Sequence, residues 1–214
     1  MVFYKLRSAL DSFFMVIILR YMPRLRLGLL LSAAVLLLAG CQDKLPESET
    51  STLPETDIQE IHPSTVDGLQ AYYQALHYDW DSLDEGVPPF ILKQFPENFN
   101  APLNIKKRKQ MFFMGLLPMV LLVNHEVAED RRHLTNLLSQ HKGTGEASQQ
   151  QTEWLIWLTE KYGLRGNPLT DHSVRTTLLR RVDTLPPALV LAQAANESAW
   201  GTSRFARKGN NLFG

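Results

Sequence analysis

Pro187-Ala188-Leu189-Val190-Leu191-Ala192-Gln193-Ala194-Ala195-Asn196-Glu197-Ser198-Ala199-Trp200-Gly201 is the stretch on which the reading of this chain turns. Pro186-Pro187 opens it as a helix start, and the residues from Ala188 to Glu197 are small or aliphatic almost all the way round. Such a helix is expected to be buried on most sides. Glu197 is its one charged group, and it falls in the last turn. A carboxylate there meets the negative end of the helix dipole and loses water to apolar neighbours, and both effects favour the protonated form. A carboxylic acid that keeps its proton near neutrality is the group that protonates a leaving glycosidic oxygen. Ser198, Trp200 and Gly201 then give a tight exit and an indole able to stack on a sugar face.

Upstream, apolar spacing and turn residues predict more helix. Leu69 to Tyr78 has helical spacing. Asn104 is a good N-cap for a long helix from Lys106 to about Gln140, with a kink expected at Pro118, where a backbone donor is lost. Gly143-Thr144-Gly145 ends it. Ser148 and Gln151 form a capping-box pattern for a helix over Gln149 to Tyr162, and Asp171 caps another through Val182. Between Pro88 and Pro102 the chain is extended and turn-rich, with Phe90, Ile91, Leu92, Phe95 and Phe99 expected to pack on the domain. No convincing alternating strand is visible, so the class is mainly α.

The N-terminal part reads as an export signal. Arg24 and Arg26 precede the apolar run Leu27 to Ala39. That run is about 13 residues, or roughly 20 Å of helix against about 30 Å of hydrocarbon, which suits a signal peptide better than a span. Met22 begins a complete signal by itself, so the true start falls at residue 1 or 22. The run ends in Leu38-Ala39-Gly40-Cys41, which resembles the lipobox of bacterial lipoproteins. The resemblance implies lipidation of Cys41, the only cysteine of the chain, and Gln42 after it implies an outer-membrane location facing the periplasm. The expected organisation is a signal peptide over 1–40, a flexible Ser/Thr/Pro/Glu-rich tether over 41–66, and a globular domain over 67–214.

Charge narrows the partners. The 22 basic and 22 acidic residues balance, but residues 1–40 hold five of the basic groups and one acid, leaving 17 basic against 21 acidic groups from Cys41 onward. An excess of four acids argues against nucleic acid as a partner. One cysteine permits no intrachain disulfide. No phosphate-binding glycine loop, zinc-ligand spacing or serine-nucleophile elbow appears, so neither metal nor cofactor is expected.

Ala192 to Ser203, carrying Asn196-Glu197-Ser198-Ala199-Trp200-Gly201, followed by Asn210-Asn211-Leu212-Phe213-Gly214, resembles the core of the glucosaminidase family of peptidoglycan hydrolases, in its Bax-type branch. Lys106 to Leu134 and Leu178 to Pro187 resemble the region that precedes this core. The resemblance covers roughly residues 85–214. It implies a lysozyme-like α-lobe with Glu197 as general acid, with Trp200, Asn211 and Phe213 along the glycan groove. It also implies an endo-β-N-acetylglucosaminidase that cleaves the β-1,4 bond after N-acetylglucosamine in the peptidoglycan strand. The family continues beyond Leu-Phe-Gly into a β-lobe carrying a second catalytic or aromatic group, and on this reading the β-lobe is missing from these 214 residues. With one carboxylate in view, retention and inversion both stay open.

Two other readings stand beside it. A lytic transglycosylase also places Glu-Ser after an apolar helix, but Trp200-Gly201 and Asn211 to Gly214 favour the hydrolase. A non-catalytic wall-binding or scaffolding lipoprotein is the third. Weaker signals favour ordinary roles. His125, His133 and His141 lie about 12 Å apart along one helix, too far to share a metal. Trp154 and Trp157 are expected in the core, and Lys106 to Lys109 on a solvated face.

Overall fold

The computed structural model describes residues 58–100, 104–141 and 147–214. The signal peptide, Cys41, most of the tether and the Gly143–Gly145 turn lie outside the described residues.

The described chain is mainly helical. In order it forms β1 (Gln59–Ile61), α1 (Val66–Ala75), a 3-10 turn (Trp80–Ser82), β2 (Phe90–Leu92) and α2 (Ile105–Gln140). Next come α3 (Gln149–Lys161), α4 (His172–Arg181), α5 (Pro187–Ser198) and α6 (Arg204–Gly209). The predicted helices are present within a few residues of their expected bounds, with the predicted caps. Asn104 accepts from the Lys106 amide at 2.8 Å, Asp171 caps α4, and Ser148 with Gln151 closes a complete capping box on α3.

Two expectations change. The tether was expected to run through residue 66, yet Gln59–Ile61 is a strand, paired in parallel with β2 so that Gln59 faces Phe90 and Ile61 faces Leu92. A parallel pair needs a crossover, and α1 supplies it. Both strands are three residues long and β2 is buried throughout, so no alternation marks them. Helix α1 also stops short of Tyr78. His77 takes the left-handed conformation (φ 51°), the His77 amide bonds back to Gln74 O and the Tyr78 amide to Tyr73 O. This Schellman pattern swings Tyr78 into the core.

Helix α2 is the spine. By length and composition it could cross a membrane, yet 56% of its most apolar stretch is buried inside the protein. Its first half packs on β2 and α5. Contact with β2 is close enough that a side chain at Gly115 would meet Leu92 Cδ2 at 2.8 Å and Tyr73 Oη at 2.9 Å. That half, with α1, β2, α5 and the C-terminal residues, builds one core around Phe90, Phe99, Phe112 and Ala194. The second half builds another with α3 and α4, around Leu134, Leu155, Leu158 and Leu178. Arginines satisfy carbonyls at the helix ends of this second core and in the loop before α4. Arg131 donates to Leu179 O and Val182 O, Arg181 to Tyr162 O, and Arg175 to Pro168 O and Leu169 O. Trp154 and Trp157 are half-buried against it, as the sequence suggested.

Candidate active site

Helix α5 places Glu197 in its last turn, as expected, but its enclosure is one-sided. Val190, Ala194, Ala195 and Ser198 are buried; Ala188, Leu189, Ala192 and Asn196 are exposed, with Leu189 at 55%. The expectation of burial on most sides is corrected. Alanine and leucine all round a helix do not reveal which stripe meets a partner, and here α2 is the helix that packs most on it. Glu197 itself is half-buried.

The chain leaves Glu197 through a tightly determined turn. Ala199, Trp200 and Gly201 all have positive φ, at 49°, 59° and 76°. Conformations of that kind are costly for non-glycine residues unless the surroundings impose them. The fully buried Ser198 hydroxyl does so, donating to Ala194 O at 2.6 Å and accepting from the Gly201 amide at 2.8 Å. The Trp200 amide bonds to Ala195 O, and the Ser203 amide to Ser198 O, both at 2.9 Å. At Gly201 a side chain would press on the Phe112 ring at 3.2 Å. Ser203 then caps α6 through the Ala206 amide. The run from Glu197 to Ser203 therefore fixes the acid on a rigid support, and the tight exit expected at Ser198 and Gly201 is held by the Ser198 hydroxyl.

The other expected site residues take structural roles. Trp200 is half-buried: Phe113 meets its ring at 5.1 Å, Phe112 at 6.0 Å, and the Lys109 ammonium lies over it at 4.3 Å. Lys109 is thus half-buried, not part of a solvated face. Phe213, expected in the groove, is only 4% exposed and belongs to the core, so its ring is not offered to a sugar. Asn211 is half-buried, and its Oδ1 accepts from the Phe213 and Gly214 amides at 3.1 and 2.9 Å, which shapes the turn. Asn210 ties the segment to the first core by donating to Lys93 O at 2.7 Å.

Residues 176–214, which hold all of this geometry, match the family profile described as mannosyl-glycoprotein endo-beta-N-acetylglucosaminidase. The chain is also 34% identical over 107 residues to Protein bax of Escherichia coli (strain K12), a stretch covering 50% of this chain and 38% of that protein. Both matches support a Bax-type protein of the glucosaminidase family. No solved structure matches the chain. Its scaffold is mainly α, with α5 and its exit turn inside the matched segment. The chain spans well under half the length of the Escherichia coli relative. Among the described residues no group of three or more His, Cys, Asp or Glu is placed to hold a metal ion.

Proposed function

We propose that the protein is a peptidoglycan hydrolase, an endo-β-N-acetylglucosaminidase that cleaves the β-1,4 bond after N-acetylglucosamine with Glu197 as general acid. One observation carries the reading. Within the family-matched segment, Glu197 is the sole acid of α5, and it stands at the start of a turn held by a buried serine and three left-handed residues. A general acid must be held within reach of the oxygen it protonates, and a rigid support of this kind supplies that. On this reading the protein is a lipoprotein anchored through Cys41 in the outer membrane, facing the periplasm, and its partner is the glycan strand.

Purified protein incubated with peptidoglycan sacculi tests the reading. New reducing ends at N-acetylglucosamine are expected, and Glu197→Gln should lower their release by at least about a hundredfold. Anhydro-muramic ends would instead identify a lytic transglycosylase. Binding to sacculi without any release would leave a wall-binding lipoprotein.

A further inference from the structure

An aromatic row leaves the Glu197 turn and reaches the surface at a residue outside the family-matched segment. Trp200 meets Phe113 at 5.1 Å, and Phe113 stacks on Trp80 with ring centroids 6.0 Å apart and planes 23° from parallel. Trp200 and Phe113 are half-buried, whereas Trp80 is 38% exposed. Lys109 and the two phenylalanines already occupy the surroundings of the Trp200 indole, which leaves it poorly placed to take a sugar ring. Trp80 is backed by Phe113 and remains an exposed aromatic side chain. It is held on a short 3-10 turn that Asp79 caps through the Asp81 and Ser82 amides, at 2.8 and 3.1 Å. An indole fixed in this way loses little freedom when a ligand stacks on it. Exposed Asp81, next in sequence, offers an acceptor for hydroxyl or amide hydrogens of the kind an N-acetylhexosamine presents.

We propose that Trp80, rather than Trp200, is the sugar-stacking platform of this protein, holding one N-acetylhexosamine ring of the bound glycan away from the bond that is cleaved. The proposal rests on the glycan-hydrolase reading above. The two ring steps from Trp200 to Trp80 set the platform apart from the Glu197 turn, so short ligands seated at the turn do not reach it and longer ones do. The solvated acids Asp81 and Asp84 near Trp80 favour a neutral sugar there, whereas Lys109 supplies a positive charge at the Trp200 end.

The test is titration of the protein with β-1,4-linked N-acetylglucosamine oligomers of increasing length, by calorimetry and by tryptophan fluorescence. Trp80→Ala should weaken binding of the longer oligomers by about tenfold and leave the shortest unchanged, while Trp80→Tyr restores most of the loss. Glu197→Gln should bind all of them normally and cleave none. A purely structural role for Trp80 would not produce a loss that depends on ligand length. Equal affinity of Trp80→Ala and the parent for every oligomer, with cleavage intact in the parent, overturns the platform and leaves the proposed function standing. A parent that neither binds nor cleaves any oligomer or sacculus overturns both.

Discussion

The Tyr78 hydroxyl donates to the Met114 carbonyl at 3.2 Å, the acceptor that Pro118 leaves without its helical partner. In an unbroken helix the amide four residues on would fill that place, and proline has none. Helix α2 nevertheless runs through Pro118 from Ile105 to Gln140. The replacement donor comes from across the core, from a tyrosine that the left-handed turn at His77 aims inward. Tyr73 donates to Met111 O one turn earlier, at 3.3 Å.

Tyr78→Phe is therefore expected to destabilise the fold by about 1–2 kcal/mol, since a buried carbonyl loses the donor that stands in for the missing amide. Pro118→Ala supplies an amide to the same carbonyl. In that background the cost of Tyr78→Phe should shrink, and a double-mutant cycle by urea unfolding measures the difference. Equal costs in both backgrounds would show that the hydroxyl does not stand in for the amide.

These two tyrosines, with Tyr162 of the second core, set an alkaline limit. Burial pushes the phenols of Tyr73, Tyr78 and Tyr162 above the ordinary range, with a neighbouring tyrosine adding to the effect at Tyr73 and the acids Asp130 and Glu126 at Tyr162. Each group thus keeps its proton in the fold at a pH where the unfolded chain has released it. Their stabilising contribution is complete below about pH 10 and declines as the pH rises beyond it. Urea midpoints should be level up to about pH 9 and fall above about pH 10. Tyr78→Phe should reduce the slope of that fall.

Ser198→Ala probes the support beneath Glu197. The buried Gly201 amide would lose its acceptor, at a cost of about 1–3 kcal/mol. Gly201→Ala strains the same turn differently, forcing a side chain into φ 76° and against Phe112. A loss of at least about 1–3 kcal/mol is expected there. Gly209, at the end of α6, has open space around it, so Gly209→Ala is expected to be neutral or to stabilise by about 0.4–1 kcal/mol. Thermal unfolding of the three variants, with glycan cleavage read in parallel, separates damage to the turn from general loss of stability.

The helices and their caps were legible because their signals are local: Asn104, Ser148 with Gln151, and Asp171 each act within a turn of their own position. The short parallel pair was not, because Gln59–Ile61 and Phe90–Leu92 find each other only through α1 and carry no alternating pattern. Around the site, Glu197 stood out as one acid in an apolar helix, and its place in the last turn comes from the chain itself. The roles of Trp200 and Phe213 depended on what lies opposite them. Lys109 and Phe113 come from α2, distant in sequence, and nothing in the motif told that they would crowd the indole. The tight exit at Ser198 was legible, but not that its hydroxyl bridges Ala194 O and the Gly201 amide, because that contact needs the folded turn.

The entry to α5 offers a test that couples pH to the placing of Glu197. Asn124 of α2 clamps Leu185 with both halves of its amide, donating Nδ2 to Leu185 O at 2.7 Å and accepting from the Leu185 amide at 3.1 Å. Leu185 immediately precedes the Pro186-Pro187 start of the helix that ends in Glu197. Asn124→Asp keeps the acceptor and replaces the donor with a second oxygen facing Leu185 O. Ionised, that oxygen repels the carbonyl; protonated, it can donate and restore the clamp. The introduced carboxyl should accordingly hold its proton more tightly in the fold than in the unfolded chain. Its stabilising contribution is then present below an ordinary aspartate pKa of about 4 and lost as the pH rises through the folded value. Relative to the parent, Asn124→Asp should be least destabilised near about pH 4 and progressively more so toward neutrality, whereas Asn124→Ala should show a loss that does not vary over this range. If α5 depends on the clamp for its position, cleavage at neutral pH should fall in both variants while oligomer binding at Trp80 persists. Parallel pH profiles for the aspartate and alanine variants would show that the two hydrogen bonds do not act as a clamp.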